Sequence, residues 1–193
     1  MGSGEWEHNL AELRDKERNS MANFQTACDY TLDHEDRARA GRIEPEPCGG
    51  KARFGVNSLA HPEMPPEFWT MPAASALPIA EQVYRQWYWQ VCGLDACNDQ
   101  ALANKVMDCA FWMGVNRAGK WAQTACNTIS SAGLVVDGHL GPKSWASINA
   151  ADPLVMRKAI AALCASHVED DCKASPAVAA IKDSLMARAD ELG

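Results

Sequence analysis

Apolar side chains return every three or four residues in one segment after another of this chain, and proline or glycine separates the segments. That spacing builds helices with one buried face each; a chain of strands would need strict alternation instead. Phe24, Cys28, Leu32 and Glu35 fall on one helical face. A second helix is expected to start near Pro78, to carry Ile79, Val83, Trp87 and Val91, and to stop at Gly93. A third, after Asp99, carries Leu102, Val106, Ala110 and Met113, and a fourth carries Trp121, Ala125 and Ile129. Pro142 opens another helix, and Asp152-Pro153 and Ser175-Pro176 each join a cap residue to a first-turn proline. KARFGVNS, residues 51–58, reads as a short strand or hairpin arm. The expected fold class is mainly α with a small β or irregular lobe. Residues 1–20 read as a polar leader or cloning remnant, 21–98 as a lobe built on the Glu35 helix and its loop, and 99–193 as a helical lobe integrated with it.

The 193 residues carry a formal net charge of -7 with both signs interleaved. Nucleic-acid binding needs a basic stripe that displaces counterions, so that class is disfavoured. No apolar run reaches the roughly 20 residues of a membrane span, so no membrane insertion is expected. The first 20 residues have no apolar signal-peptide core. Eight cysteines are many for a chain of this size. Their spacing gives no clustered zinc ligands, and a mixture of buried thiols with one or two disulfides is expected, Cys92–Cys97 being the best local pair. No metal and no cofactor are expected.

Glu35 sits on the apolar face of the first helix and at its C-terminal end. Burial and the negative end of the helix dipole both disfavour a charged carboxylate there, so such a group is able to hold a proton and give it to a leaving oxygen. The loop from Ala40 to Gly50, broken by Pro45, Pro47 and two glycines, supplies Glu44 and Glu46 as candidate second carboxylates. Glycosidic cleavage through an oxocarbenium-like state uses such a pair. A solvated acidic loop after a helix has the same appearance.

Around these residues the chain resembles glycoside hydrolase family 108, the lysozyme-like muramidases of phage endolysins and bacterial wall-lytic proteins. Gly49, Gly50, Phe54, Gly55 and Val56 match its glycine turn. The stretch YRQWYWQVCG resembles its Tyr-Trp segment, and Asp108, Ala110, Gly114, Ala118 and Gln123 resemble its Asp-x-Ala helix pair. Val135–Ala150 resembles the peptidoglycan-binding-like region that follows in that family, so the likeness runs from about Met21 to Ala165. Asp36-Arg37-Ala38 stands where the family has Gly-Gly-Tyr, and Ala52 where it has Thr. The general acid therefore maps onto Glu35, while the second role stays open between Glu46 and Glu44.

The resemblance implies a lysozyme-like helical fold and an N-acetylmuramidase that cleaves the β-1,4 bond between N-acetylmuramic acid and N-acetylglucosamine. Its partner is the peptidoglycan glycan strand, met in the periplasm or cell wall after delivery by a holin, a secretion apparatus or another export route. Phage endolysin, autolysin and injected effector all fit; an effector would bring an immunity protein or delivery apparatus as partner. Phe54, Asn57, Tyr84, Tyr88, Trp89 and Asp108 are the expected substrate-binding residues, whereas Trp87 shares a stripe with Val83 and Val91 and reads as core. The aromatics Phe68, Trp69 and Trp112 are further candidates to line a sugar cleft. A non-catalytic peptidoglycan-binding protein, a lytic transglycosylase and an amidase remain alternatives. No Gly-x-Ser-x-Gly elbow is present, and His34 beside Glu35 reads as structural or exposed.

Overall fold

A computed structural model of the protein describes residues 21–46 and 49–193. The leader assigned to residues 1–20, together with Pro47 and Cys48, lies outside the described residues.

Helix α1 (Phe24–Asp36) begins on Asn23, whose side chain accepts from the Thr26 amide. Its predicted stripe is the buried one, with Phe24, Cys28 and Leu32 inside and Ala27 and Thr31 filling the same face. The α1 C-terminus leaves carbonyls without helical partners, and Arg39, held at φ 51°, donates to two of them, Asp36 O at 3.0 Å and Arg37 O at 3.3 Å. The Asp36 carboxylate then accepts from the amides of Ala40 and Gly41 at 3.0 and 2.6 Å. These bonds turn the chain into a three-stranded antiparallel sheet of β1 (Glu44–Pro45), β2 (Lys51–Arg53) and β3 (Val56–Asn57).

The expected hairpin arm is present, with Ala52 opposite Asn57 and Arg53 opposite Val56. Phe54 and Gly55 join its strands at φ 51° and 71°. Positive φ at both central residues matches the right-handed twist of a two-residue hairpin and is costly for phenylalanine. Burial of the Phe54 ring and a 2.9 Å hydrogen bond from the Tyr84 hydroxyl to its carbonyl hold it there.

Helix α2 (Ala73–Val83) starts earlier than Pro78 and continues as a π-helical turn, Tyr84–Trp89. The extra residue in that turn rotates the buried stripe. Ala76, Ala80 and Tyr84 are four apart, and the next buried ring is Trp89, five further on. Of the expected stripe only Val83 is fully buried, whereas Trp87 and Val91 are exposed at 49% and 54%. The reading of Trp87 as core is thus corrected.

Helices α3 (Gln100–Met113), α4 (Val115–Ser130) and α5 (Pro142–Ala150) follow as the punctuation predicts. On α3, Leu102, Val106 and Ala110 are buried. On α4 the centre of burial lies at Ala118, Ala122, Ala125 and Cys126, so Trp121 and Ile129 flank the core. Asp152 and Ser175 cap α6 (Pro153–Ala174) and the single turn α7 (Pro176–Ala179). The last helix, α8 (Lys182–Asp190), follows a break at Ile181, which is exposed. The fold is mainly α with one small sheet, and one hydrophobic core runs from Phe24 to Ala189.

The seven described cysteines are free thiols. The expected Cys92–Cys97 bridge is absent: both side chains turn into the core, and burial pushes each thiol up to about 12. Cys97 Sγ donates instead to the Asp99 carbonyl. Among the described residues no helix is long and apolar enough to cross a membrane, and no group of three or more histidine, cysteine or acidic side chains is placed to hold a metal ion.

Candidate active site

The C-terminal turn of α1, the sheet and the last turn of α3 enclose a cleft of about 520 Å³. Glu35 and Asp36 from α1, Glu44 and Glu46 from the loop, and Phe54, Gly55 and Asn57 from the hairpin line it, with Phe111 and Trp112 opposite. The three carboxylates singled out in the sequence therefore open into one cavity. Gly55 packs against Glu35. A Cβ there would lie 2.9 Å from Glu35 Oε2, from Glu35 Cγ and from Phe111 Cε1, so only glycine lets the hairpin rest against that carboxylate.

The other Glu35 oxygen is paired with a cation. Oε1 lies 2.7 Å from Arg188 Nη2, with the Glu35 and Arg188 side chains 21% and 15% exposed. Arg188 also grips Asp108, Nη2 to Oδ1 at 2.8 Å and Nε to Oδ2 at 3.2 Å. Asp108 is 1% exposed. Burial alone would raise its carboxyl, but contacts with His34 and Arg188 outweigh that and hold it below the ordinary carboxylate value. Its place is thus beneath the cleft, as a buried counter-ion, and the expectation that it touches substrate is corrected.

His34 completes the network. Its Nε2 lies 2.9 Å from Glu191 Oε2, which also accepts from the Tyr30 hydroxyl at 3.0 Å. Its Nδ1 lies 3.5 Å from Asp108 Oδ1, long for a hydrogen bond, so the contact is chiefly between charges. Asp108 raises the imidazole from its ordinary value against the cost of burial. A group so raised contributes stability that is complete below the unfolded value near 6.5 and fades as pH rises through the native value. His34→Gln is therefore expected to cost about 1–2 kcal/mol below pH ~6.5. The gap to wild type should narrow in alkali; thermal melts of both proteins across pH check this, and a constant gap excludes the charged pair.

Among the predicted sugar-binding aromatics, Tyr84 and Trp89 are fully buried. Tyr84 supports Phe54 from behind, and the Trp89 indole donates to Asp95 at 2.7 Å. Neither faces the cleft, because the π turn carries both inward. Tyr88 is half-buried behind Phe111, ring centroids 4.7 Å apart, and its hydroxyl lies 3.0 Å from His61 Nε2. Phe68 and Trp69 belong to the core, whereas Trp112 lines the cleft. Phe54 and Asn57 do line it, although Asn57 Oδ1 is engaged by the Leu59 amide at 2.7 Å. Sequence reasoning missed Phe111, which stacks on Tyr84 at 4.3 Å, and Arg188. The run of apolar residues through α3 contained a signal for Phe111; a lone arginine in a polar terminal helix gave none for Arg188.

No curated protein and no solved structure matches the chain. Residues 29–114 match the family model Glycosyl hydrolase 108, a segment that holds α1 from Asp29, the sheet, α2 and α3, and with them every residue lining the cleft. The match stops before Val135–Ala150, so that segment and Arg188 both lie outside it. The part of the chain that builds the cleft is thus similar to a family of glycoside hydrolases.

Proposed function

We propose that this protein is a peptidoglycan hydrolase of the lysozyme type, cleaving the β-1,4 bond between N-acetylmuramic acid and N-acetylglucosamine, with Glu35 as general acid. The observation that carries the reading is the shared cavity. Two helix-terminal carboxylates, Glu35 and Asp36, two loop carboxylates and three aromatic residues border one cleft within the segment similar to glycosyl hydrolases. Glu35 protonates the bridging oxygen, and Glu44 or Glu46 stabilises the positive sugar ring or activates water. Phe111 and Trp112 offer apolar surface to the faces of the pyranose rings. The reaction takes place in the periplasm or cell wall, and the glycan strand is the partner.

Mass spectra of peptidoglycan digested with the purified protein test this. Fragments with reducing muramic-acid ends are expected. Anhydro ends would instead identify a lytic transglycosylase, freed stem peptides an amidase, and unchanged polymer a binding protein.

A further inference from the structure

Arg188 reaches Glu35 from α8, near the opposite end of the chain and beyond the segment similar to glycosyl hydrolases. Its helix is tied down by contacts other than those of the Arg188 side chain. The buried Lys105 ammonium donates to the carbonyls of Ala189 and Arg188 at 2.8 and 3.3 Å, and Glu191 is held by Tyr30 and His34. The guanidinium itself is fixed on three sides: by Asp108 through two bonds, by Glu35 Oε1, and by the Trp112 ring 5.0 Å from its Cζ. A planar fork locked in this way has little rotamer freedom left to lose when it engages Glu35.

That geometry gives the two Glu35 oxygens different tasks. Oε1 faces the cation, while Oε2 lies on the Gly55 side, where the hairpin borders the cleft. A cation alone beside a general acid would favour its spent, charged form. Here Asp108 already balances Arg188, and His34 faces both Asp108 and Glu191, so the cluster does not depend on a charge at Glu35. Among the described residues, Asp36, Arg42, Glu44 and Glu46 line the cleft with Glu35, and Tyr84 and Tyr88 lie behind it.

Resting on the reading of Glu35 as general acid, we propose that Arg188 is a positioning residue for that acid. It holds Oε1, directs the proton-bearing Oε2 to the leaving oxygen, and pairs with the carboxylate left behind. In the step itself the Oε2–H bond breaks as the proton joins the bridging oxygen. The electron pair of the C1–O bond goes to that oxygen, and C1 becomes an oxocarbenium ion. Water then adds its oxygen to C1 and releases a proton to a cleft carboxylate.

The test follows hydrolysis of purified peptidoglycan over a range of substrate concentrations for wild type, E35Q, R188Q and R188K, with thermal melts of each. R188Q is expected to lower kcat on the order of 10²-fold, the scale of an ångström's misplacement, with KM little changed. R188K recovers part of the rate. Wild-type kcat in R188Q, or a loss that tracks the unfolded fraction and is not partly restored by R188K, overturns the proposal. Should R188Q not fold, R188K takes its place, and wild-type kcat there is equally fatal, since an ammonium cannot fork onto Asp108 and reach Glu35 together. Retained activity in E35Q would sink the assignment of the acid, and Arg188's role with it. An inactive E35Q beside a normal R188Q sinks the role of Arg188 alone.

Discussion

Glu35→Gln is expected to abolish wall hydrolysis while the protein still folds. Glutamine keeps the length of the side chain, and its amide oxygen still accepts from Arg188 at the position now held by Oε1. It has no carboxylic proton to give. General acids contribute about 10²–10⁴-fold in rate, and release of reducing ends from purified peptidoglycan reads that loss directly. The fold should tolerate the change at no more than about 1–2 kcal/mol, because the guanidinium still finds an oxygen acceptor and Asp108 keeps Arg188 paired. Glu44→Gln and Glu46→Gln should give smaller, unequal losses, and the larger identifies the second carboxylate. Near-normal hydrolysis by Glu35→Gln would leave the cleft without its assigned acid.

The helices were readable because caps and prolines mark their starts and a single period marks their buried faces. Asn23, Asp99, Asp152 and Ser175 each accept from a first-turn amide, as residues of those types do at helix starts. Glu35 was readable for the same reason: four, four and three residues along one face end on it. The failures share a physical cause too. A π turn adds one residue to a turn without any sequence mark, and this single residue exchanged the surroundings of Trp87 and Trp89. Tyr84 went inward with Trp89, so its work is to hold the strained Phe54 backbone rather than a sugar.

Asp108 shows the limit most directly. A polar residue on an apolar helix invites a ligand-binding role, yet its partner is an arginine that only the tertiary fold brings near. Nothing in the local sequence of α3 or α8 encodes that meeting. The cluster is legible only once helix α8 is seen packed beside α1 and α3, because its charges come from all three.

The largest stability loss should come from Asp108→Ala. The carboxylate is almost inaccessible, and it balances a guanidinium whose side chain is itself only 15% exposed. Removing one partner of a buried pair leaves the other charge poorly compensated, at a cost of about 3–5 kcal/mol. Arg188 would then retain Glu35 as its acidic partner in this cluster, and His34 would retain Glu191. At roughly 2–4 °C per kcal/mol for a chain of this size, the midpoint should fall by about 6–20 °C. The pH dependence fixes the cause. A carboxyl held below its unfolded value near 3.8 contributes stability at higher pH and loses it as pH falls through the native value. The gap between wild type and Asp108→Ala should therefore be wide at neutral pH and close in acid below pH ~3.8. A gap that stays constant down to that range would mean that Asp108 contributes through packing, and that Arg188 reaches Glu35 without a counter-ion of its own.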